Sequence, residues 1–237
     1  DGLQARSSFK SQSGTCNYSG MDTAEANCKT YVAAAMDYIN ANAYSGTKVK
    51  IIANLYYPGY NADNVQSSCN DPTTGAKVNL RDRFLPSIAR MNYWMCEYAR
   101  LKGFKCVDNF AEYMGADYDS NGDGQIDSQA LKYVAGESEA SYVARITGAL
   151  KGTLRDANAH FISSSSSADY IQSDDVHPTY QGSTVTAGLF GGTTSSGAPR
   201  YTSFSGGKNP IWNLYGHERM GWLLSLYAPA SANKARR

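Results

Sequence analysis

Ser173-Asp174-Asp175-Val176-His177-Pro178-Thr179 places a carboxylate and an imidazole within one turn of chain, just ahead of a predicted helix near Thr179. An imidazole can take the proton of a serine hydroxyl as general base, and a neighbouring carboxylate can fix its tautomer and stabilise the imidazolium. Asp174 and His177 suit those two roles, with Asp175 as the alternative orienting group. The chain holds only three histidines, His160, His177 and His217, so an imidazole beside two carboxylates stands out. The same residues also suit a plain helix start, with Asp174 or Asp175 as cap and Pro178 at the first position.

Asp117-Tyr118-Asp119-Ser120-Asn121-Gly122-Asp123-Gly124-Gln125-Ile126-Asp127 is the second chemical feature. Alternating oxygen side chains around glycine turns suit a hard cation, and calcium is the expected cofactor, in a structural role. A register starting at Asp119 uses Asp119, Asn121 and Asp123 as ligands, the Gln125 carbonyl and Asp127. Gly124 then takes the turn, and Ile126 anchors the loop in the interior. A register starting at Asp117 also satisfies the opening of the pattern. Ala130 stands where a complete loop supplies a bidentate glutamate, which weakens the site. The competing expectation is an Asx-type turn with Asp127 capping a helix from Ser128.

Other candidates carry less chemistry. Gly136-Glu137-Ser138-Glu139-Ala140 approximates a nucleophile elbow but falls inside a predicted helix with no buried strand before it. His160 follows a helix end, where its charge would meet exposed carbonyls. His217-Glu218-Arg219 reads as a charged cluster pairing within the fold, with His217 as the reserve base. Tyr56, Tyr57 and Tyr60 can line an acyl or glycan pocket, or pack as core.

These residues need elements to hold them. Apolar spacing predicts helices over Thr23 to Asn42 and Asn79 to Leu101, the second ending at a Gly103 cap. Apolar runs at Val49 to Tyr57 and Phe104 to Phe110 predict buried strands. Helix, strand, helix, strand implies a parallel sheet with covering helices, an α/β fold. Ser128 to Ala159 is helical in pattern but interrupted by Gly136, Gly148 and Gly152, so a break or kink is expected. Ser163 to Ser167 and Gly188 to Gly207 read as polar loops, the second over the site, and Pro210 to Tyr227 as a final helix. One domain spanning 1–237 is expected.

A chain of 237 residues can bury a sizeable core, and its net charge of +1 argues against nucleic acid as a main partner. No apolar stretch reaches the roughly 20 residues of a membrane helix, and no signal peptide is visible. Five cysteines without a Cys-x-x-Cys pair disfavour a zinc site and favour disulfides in a secreted or periplasmic protein. Cys16 with Cys28 and Cys96 with Cys106 would close short loops and leave Cys69 over, although connectivity is not fixed by sequence.

Ser173 to Gly182, reading Ser-Asp-Asp-Val-His-Pro-Thr-Tyr-Gln-Gly, resembles the last signature segment of the GDSL/SGNH hydrolases. Ile51 to Tyr60 is similar to the strand and loop that follow their central helix, in matching order. That resemblance implies a three-layer α/β/α, flavodoxin-like SGNH-hydrolase fold, of which this chain is the C-terminal portion, elaborated by a calcium-type loop. It also implies carboxylic ester hydrolysis, with Asp174 and His177 as catalytic residues. The family's Gly-Asp-Ser and Gly-x-Asn-Asp segments, which carry the nucleophilic serine and oxyanion donors, do not occur here. On this resemblance Asp1-Gly2-Leu3 would continue the second, and an N-terminal segment of the same precursor is the expected partner, besides the ester substrate. Deacetylation of carbohydrate is a variant of this expectation. A non-catalytic, calcium-stabilised domain binding carbohydrate or a surface is the alternative.

Overall fold

The structure is a computed structural model that describes residues 12–44, 46, 49–56, 65–113, 120–127, 129–151, 178 and 216–228, with backbone alone at 65–68, 80–81 and 149–151. In chain order the elements are β1 (Gly14–Thr15), α1 (Ser19–Asn42), β2 (Ile51–Ala53), β3 (Val65–Asn70), β4 (Lys77–Asn79) and α2 (Leu80–Leu101). They continue with β5 (Lys105–Val107), α3 (Asn109–Glu112), α4 (Glu139–Lys151) and α5 (Gly216–Leu226). Helices with small mixed sheets make this an α/β chain.

The unit β2–α2–β5 carries the architecture. β2 and β5 pair in parallel, Ile51 opposite Lys105 and Ala53 opposite Val107, and parallel neighbours need a long crossover, here closed by α2. Both ends of α2 follow from local chemistry. Asn79 caps its start by accepting the Asp82 N–H at 3.1 Å, which satisfies one of the unpaired amides of the first turn. Gly103 ends it at φ 74°, with the Phe104 N–H reaching the Ala99 carbonyl at 2.8 Å and the Gly103 N–H reaching that of Arg100 at 3.3 Å. That pair of bonds is a Schellman stop, which favours glycine at the left-handed position.

α1 runs alongside α2 in the same direction. Asp22 faces Arg83 at 3.8 Å, Glu25 grips Arg90 at 2.8 Å, and Asp37 meets Lys102 at 2.7 Å. Met36, Ala99 and Phe104 seal the space between these helices and the strand pair, with Val32 and Ile52 packed against them. α1 begins at Ser19, ahead of the expected Thr23, because the Asn17 carboxamide accepts the Ser19 N–H at 3.0 Å. A second small sheet, ordered β1-β3-β4, precedes α2, with β1 parallel to β3 and β4 antiparallel to it.

The cysteine pairing differs from the sequence expectation at one bridge. Cys96–Cys106 joins α2 to β5 as expected, but Cys16 pairs with Cys69, and Cys28 is the free thiol. Parallel pairing of β1 with β3 sets Thr15 opposite Asn70, and the Cys16 N–H reaches the Asn70 carbonyl at 2.8 Å. The two sulfurs thus meet across a strand register that short-loop reasoning does not see.

Two further boundaries moved. The strand expected to run to Phe110 stops at Val107, because the Asp108 carboxylate accepts the Ala111 N–H at 3.2 Å and starts α3. The glycine-interrupted stretch after Ser128 is a run of turns to Gly136, at φ 87°, followed by a single described helix. Ser138 therefore precedes α4 and caps it, its hydroxyl accepting the Ser141 N–H at 3.2 Å. The final helix is described from Gly216, inside the expected span. No helix among the described residues is long and apolar enough to cross a membrane.

Candidate functional site

The carboxyl ends of parallel strands are where an open α/β sheet presents polar groups to a ligand. Here both strands end on a polar residue. Asn54 follows β2 and Asp108 follows β5, and the Asn54 amide donates to the Asp108 carboxylate at 2.7 Å. The Asn54 carbonyl oxygen accepts the Phe110 N–H at 3.1 Å, and the second Asp108 oxygen accepts the Tyr133 N–H at 2.7 Å. Burial pushes the Asp108 carboxyl up while these hydrogen bonds hold it down. From α2, the Asn92 side chain clamps the backbone of Leu55 at both its N–H, 2.8 Å, and its carbonyl, 2.9 Å. Tyr56, next along, stacks on Tyr113 with centroids 5.5 Å apart. The result is a rigid floor, and these polar side chains are committed to holding the loop after β2.

A second buried network adjoins it. Glu112 is 5% exposed and Arg219 fully buried. One Glu112 oxygen, Oε2, accepts both the Ile126 N–H at 3.0 Å and Arg219 Nη2 at 3.1 Å. Its other oxygen faces Lys132 Nζ at 3.7 Å. Burial pushes the Glu112 carboxyl up, to about 7, against the opposing pull of Arg219. Beside it the Tyr113 hydroxyl donates to the Gly216 carbonyl at 2.5 Å, so α3, the 120–127 loop and α5 converge on one carboxylate.

Of the loop with the calcium-type sequence, residues 120–127 are described. Asn121 Oδ1 accepts the Asp123 N–H and Asp123 Oδ1 the Gln125 N–H, both at 2.8 Å. Gly122 and Gly124 take φ of 78° and 87°, and Ile126 is 1% exposed. Asp127 does not cap a helix. Its carboxylate reaches back to the Ser120 N–H at 2.7 Å and the Asn121 N–H at 3.2 Å, and hydrogen bonds from Ser120 hold it below the usual carboxylate range. Asn121 and Asp123 thus each close an Asx-type turn on the N–H two residues ahead, as the competing expectation had it. No group of three His, Cys, Asp or Glu side chains among the described residues could hold a metal. Asp117 and Asp119 lie outside the described residues.

Asp174, Asp175 and His177 also lie outside them, as do His160, Tyr57 and Tyr60. Pro178, directly after His177, is buried and takes part in an isolated β-bridge. His217 is exposed on the first turn of α5, whereas Arg219 pairs inside the fold as its cluster suggested. The Asn54–Asp108 and Glu112–Arg219 pairs were not singled out from sequence. A polar residue closing each apolar run was the available signal for the first.

At the N-terminal end of α2 a groove of about 400 Å³ opens between Tyr18, Asp71, Lys77, Asn79, Asp82 and Arg83. The Tyr18 hydroxyl donates to Asp71 at 2.6 Å and the Arg83 guanidinium lies 3.7 Å from the Tyr18 ring centre. No protein-family model, curated protein or solved structure matches this chain.

Proposed function

We propose that this chain supplies the Asp-His half of an exported, calcium-stabilised serine ester hydrolase of the SGNH type. The observation that carries the reading is the Asp174-x-x-His177-Pro178 run. A βαβ unit whose strands both end on polar residues supports it.

In this reading His177 takes the proton of the attacking serine and later returns it to the leaving alcohol, while Asp174 orients the ring. No Gly-Asp-Ser segment occurs among the 237 residues, so the serine and its oxyanion donors come from a companion segment of the precursor. Calcium would be held by Asn121, Asp123, Asp127 and the Gln125 carbonyl, joined by Asp117 or Asp119. When bound it would supply the positive charge that gathers these oxygens, and no step of ester chemistry passes through it. Two disulfides fit an oxidising compartment.

A binding domain without catalysis is the second reading, favoured by the polar groove beside Tyr18, whose donors and acceptors suit a hydroxyl-rich ligand.

The natively purified protein, treated with a fluorophosphonate and then denatured for intact-mass analysis, should carry the adduct on a companion polypeptide. His177→Ala should lower hydrolysis of p-nitrophenyl acetate roughly 10³-fold or more without loss of folding. An adduct on this chain relocates the nucleophile, and undiminished turnover in His177→Ala sinks the enzyme reading.

A further inference from the structure

We propose that the groove at the N-terminal end of α2 binds the carboxylate of an acidic sugar, a uronate unit of a saccharide, through the guanidinium of Arg83 and the ammonium of Lys77. This rests on the polar groove of the second reading, gives it a ligand class, and does not depend on ester hydrolysis.

Arg83 is held by a relay of fixed groups. Its guanidinium lies 3.7 Å from the Tyr18 ring centre, and a planar cation resting on an aromatic face keeps its fork of donors in one orientation. Tyr18 is fixed in turn, its hydroxyl donating to Asp71 Oδ2 at 2.6 Å. Asp71 Oδ1 accepts the Thr73 and Thr74 N–H groups, both at 2.9 Å. Tyr18 and Asp71 each stand two residues beyond a cysteine of the Cys16–Cys69 bridge, so the disulfide and the parallel pairing of β1 with β3 set their separation. An arginine preorganised in this way loses little freedom when it grips a ligand.

What Arg83 lacks is an oxygen to grip. The Asp22 carboxylate that it faces stands 3.8 Å from Nη2, beyond hydrogen-bond reach. Its Nε is buried with no hydrogen-bond partner among the described residues, a condition that native side chains rarely keep without cause. Lys77 is exposed on β4 and lines the same groove.

Charge and shape narrow the ligand. Lys77 and Arg83 bring two positive charges to the lining and Asp71 and Asp82 two negative ones, with Asp71 already engaged by Tyr18 and the threonine amides. A single carboxylate suits that balance and matches the arginine fork with two oxygens, whereas a phosphate dianion is repelled by Asp82. Thr74 and Asn79 present a hydroxyl and an amide to sugar hydroxyls, and about 400 Å³ lies within the range of small-molecule sites.

NMR titration of the native protein tests this, with α-1,4-digalacturonate as the probe and galactobiose of the same linkage as its neutral counterpart. Digalacturonate should shift the signals of Tyr18, Lys77 and Arg83 and bind on the order of tenfold more tightly than galactobiose. Arg83→Gln should remove that advantage, and Arg83→Lys, which keeps the charge but not the fork, should restore only part of it. Lys77→Gln, at an exposed position away from the core, should weaken digalacturonate as well and serves if the arginine variants do not fold. Equal binding of the two disaccharides overturns the carboxylate assignment and leaves the hydroxyl-rich groove standing. Undiminished binding in Arg83→Gln or in Lys77→Gln overturns the assignment of these two cations. Acetate or phosphate binding as tightly at the same signals makes this a site for any oxyanion, and the sugar assignment falls. If neither disaccharide binds, the groove reading and this proposal fall together.

Discussion

Glu112 is the side chain on which most depends. Its carboxyl is pushed up to about 7 from an ordinary value of 4.5, with burial as the first cause. A carboxyl with a raised folded pKa keeps its proton where the unfolded chain has already lost it. Its contribution to stability is therefore greatest below about 4.5, falls as pH rises, and levels off above about 7. The span corresponds to an upper limit of about 3 kcal/mol. Urea melts from pH 4.5 to 8 should show wild type losing stability relative to Glu112→Gln as pH rises. A constant difference between the two proteins would mean that Glu112 stays ionised beside Arg219 throughout. The pairing itself joins residues 107 positions apart, so no local pattern announces it. Asp174 and His177, which lie outside the described residues, are suggested by the opposite route, from residue type and spacing within one turn.

The limits of α2, set by neighbouring residues, could be read from sequence, whereas pairings between distant residues could not. Asn79 and Gly103 delimit α2 through bonds spanning a few residues, and both limits were foreseen. β5 ends early because Asp108 prefers a cap that also serves Asn54 and Tyr133 from other parts of the chain. The disulfides divide in the same manner. Cys96 and Cys106 flank the turn after α2, while Cys16 and Cys69 are separated by 53 residues and brought together by β1–β3 pairing. Peptide mapping without reduction should recover a Cys16–Cys69 linkage, with Cys28 the alkylated cysteine. A Cys16–Cys28 peptide would show the register of β1 on β3 to be wrong. In the chain-entropy account the longer loop also stabilises more, about 4 kcal/mol against about 3 for the shorter. Cys16→Ser/Cys69→Ser should therefore lower the denaturation midpoint more than Cys96→Ser/Cys106→Ser.

For the whole molecule, the proposed calcium-stabilised reading links affinity to place of work. The described loop offers Asn121, Asp123 and Asp127 as side-chain oxygens, and Ala130 contributes none where a bidentate glutamate would stand. The Ala130 carbonyl is instead engaged by Arg145 at 2.6 Å, in a set that also takes the carbonyls of Gln129 and Lys132 and ties the turns before α4 to that helix. A loop with fewer charged ligands binds more weakly, and extracellular modules work at dissociation constants of about 10⁻⁴ to 10⁻³ M. That range suffices where calcium is millimolar, and the two disulfides are compatible with such an exported setting. Calorimetry should place calcium in this weak range, and millimolar calcium should raise the melting temperature through preferential binding to the folded state. Ala130→Glu should tighten binding by restoring the missing ligand. If that substitution instead leaves affinity unchanged while lowering stability, Arg145 has captured the new carboxylate and the exit from the loop is set by α4 rather than by the cation.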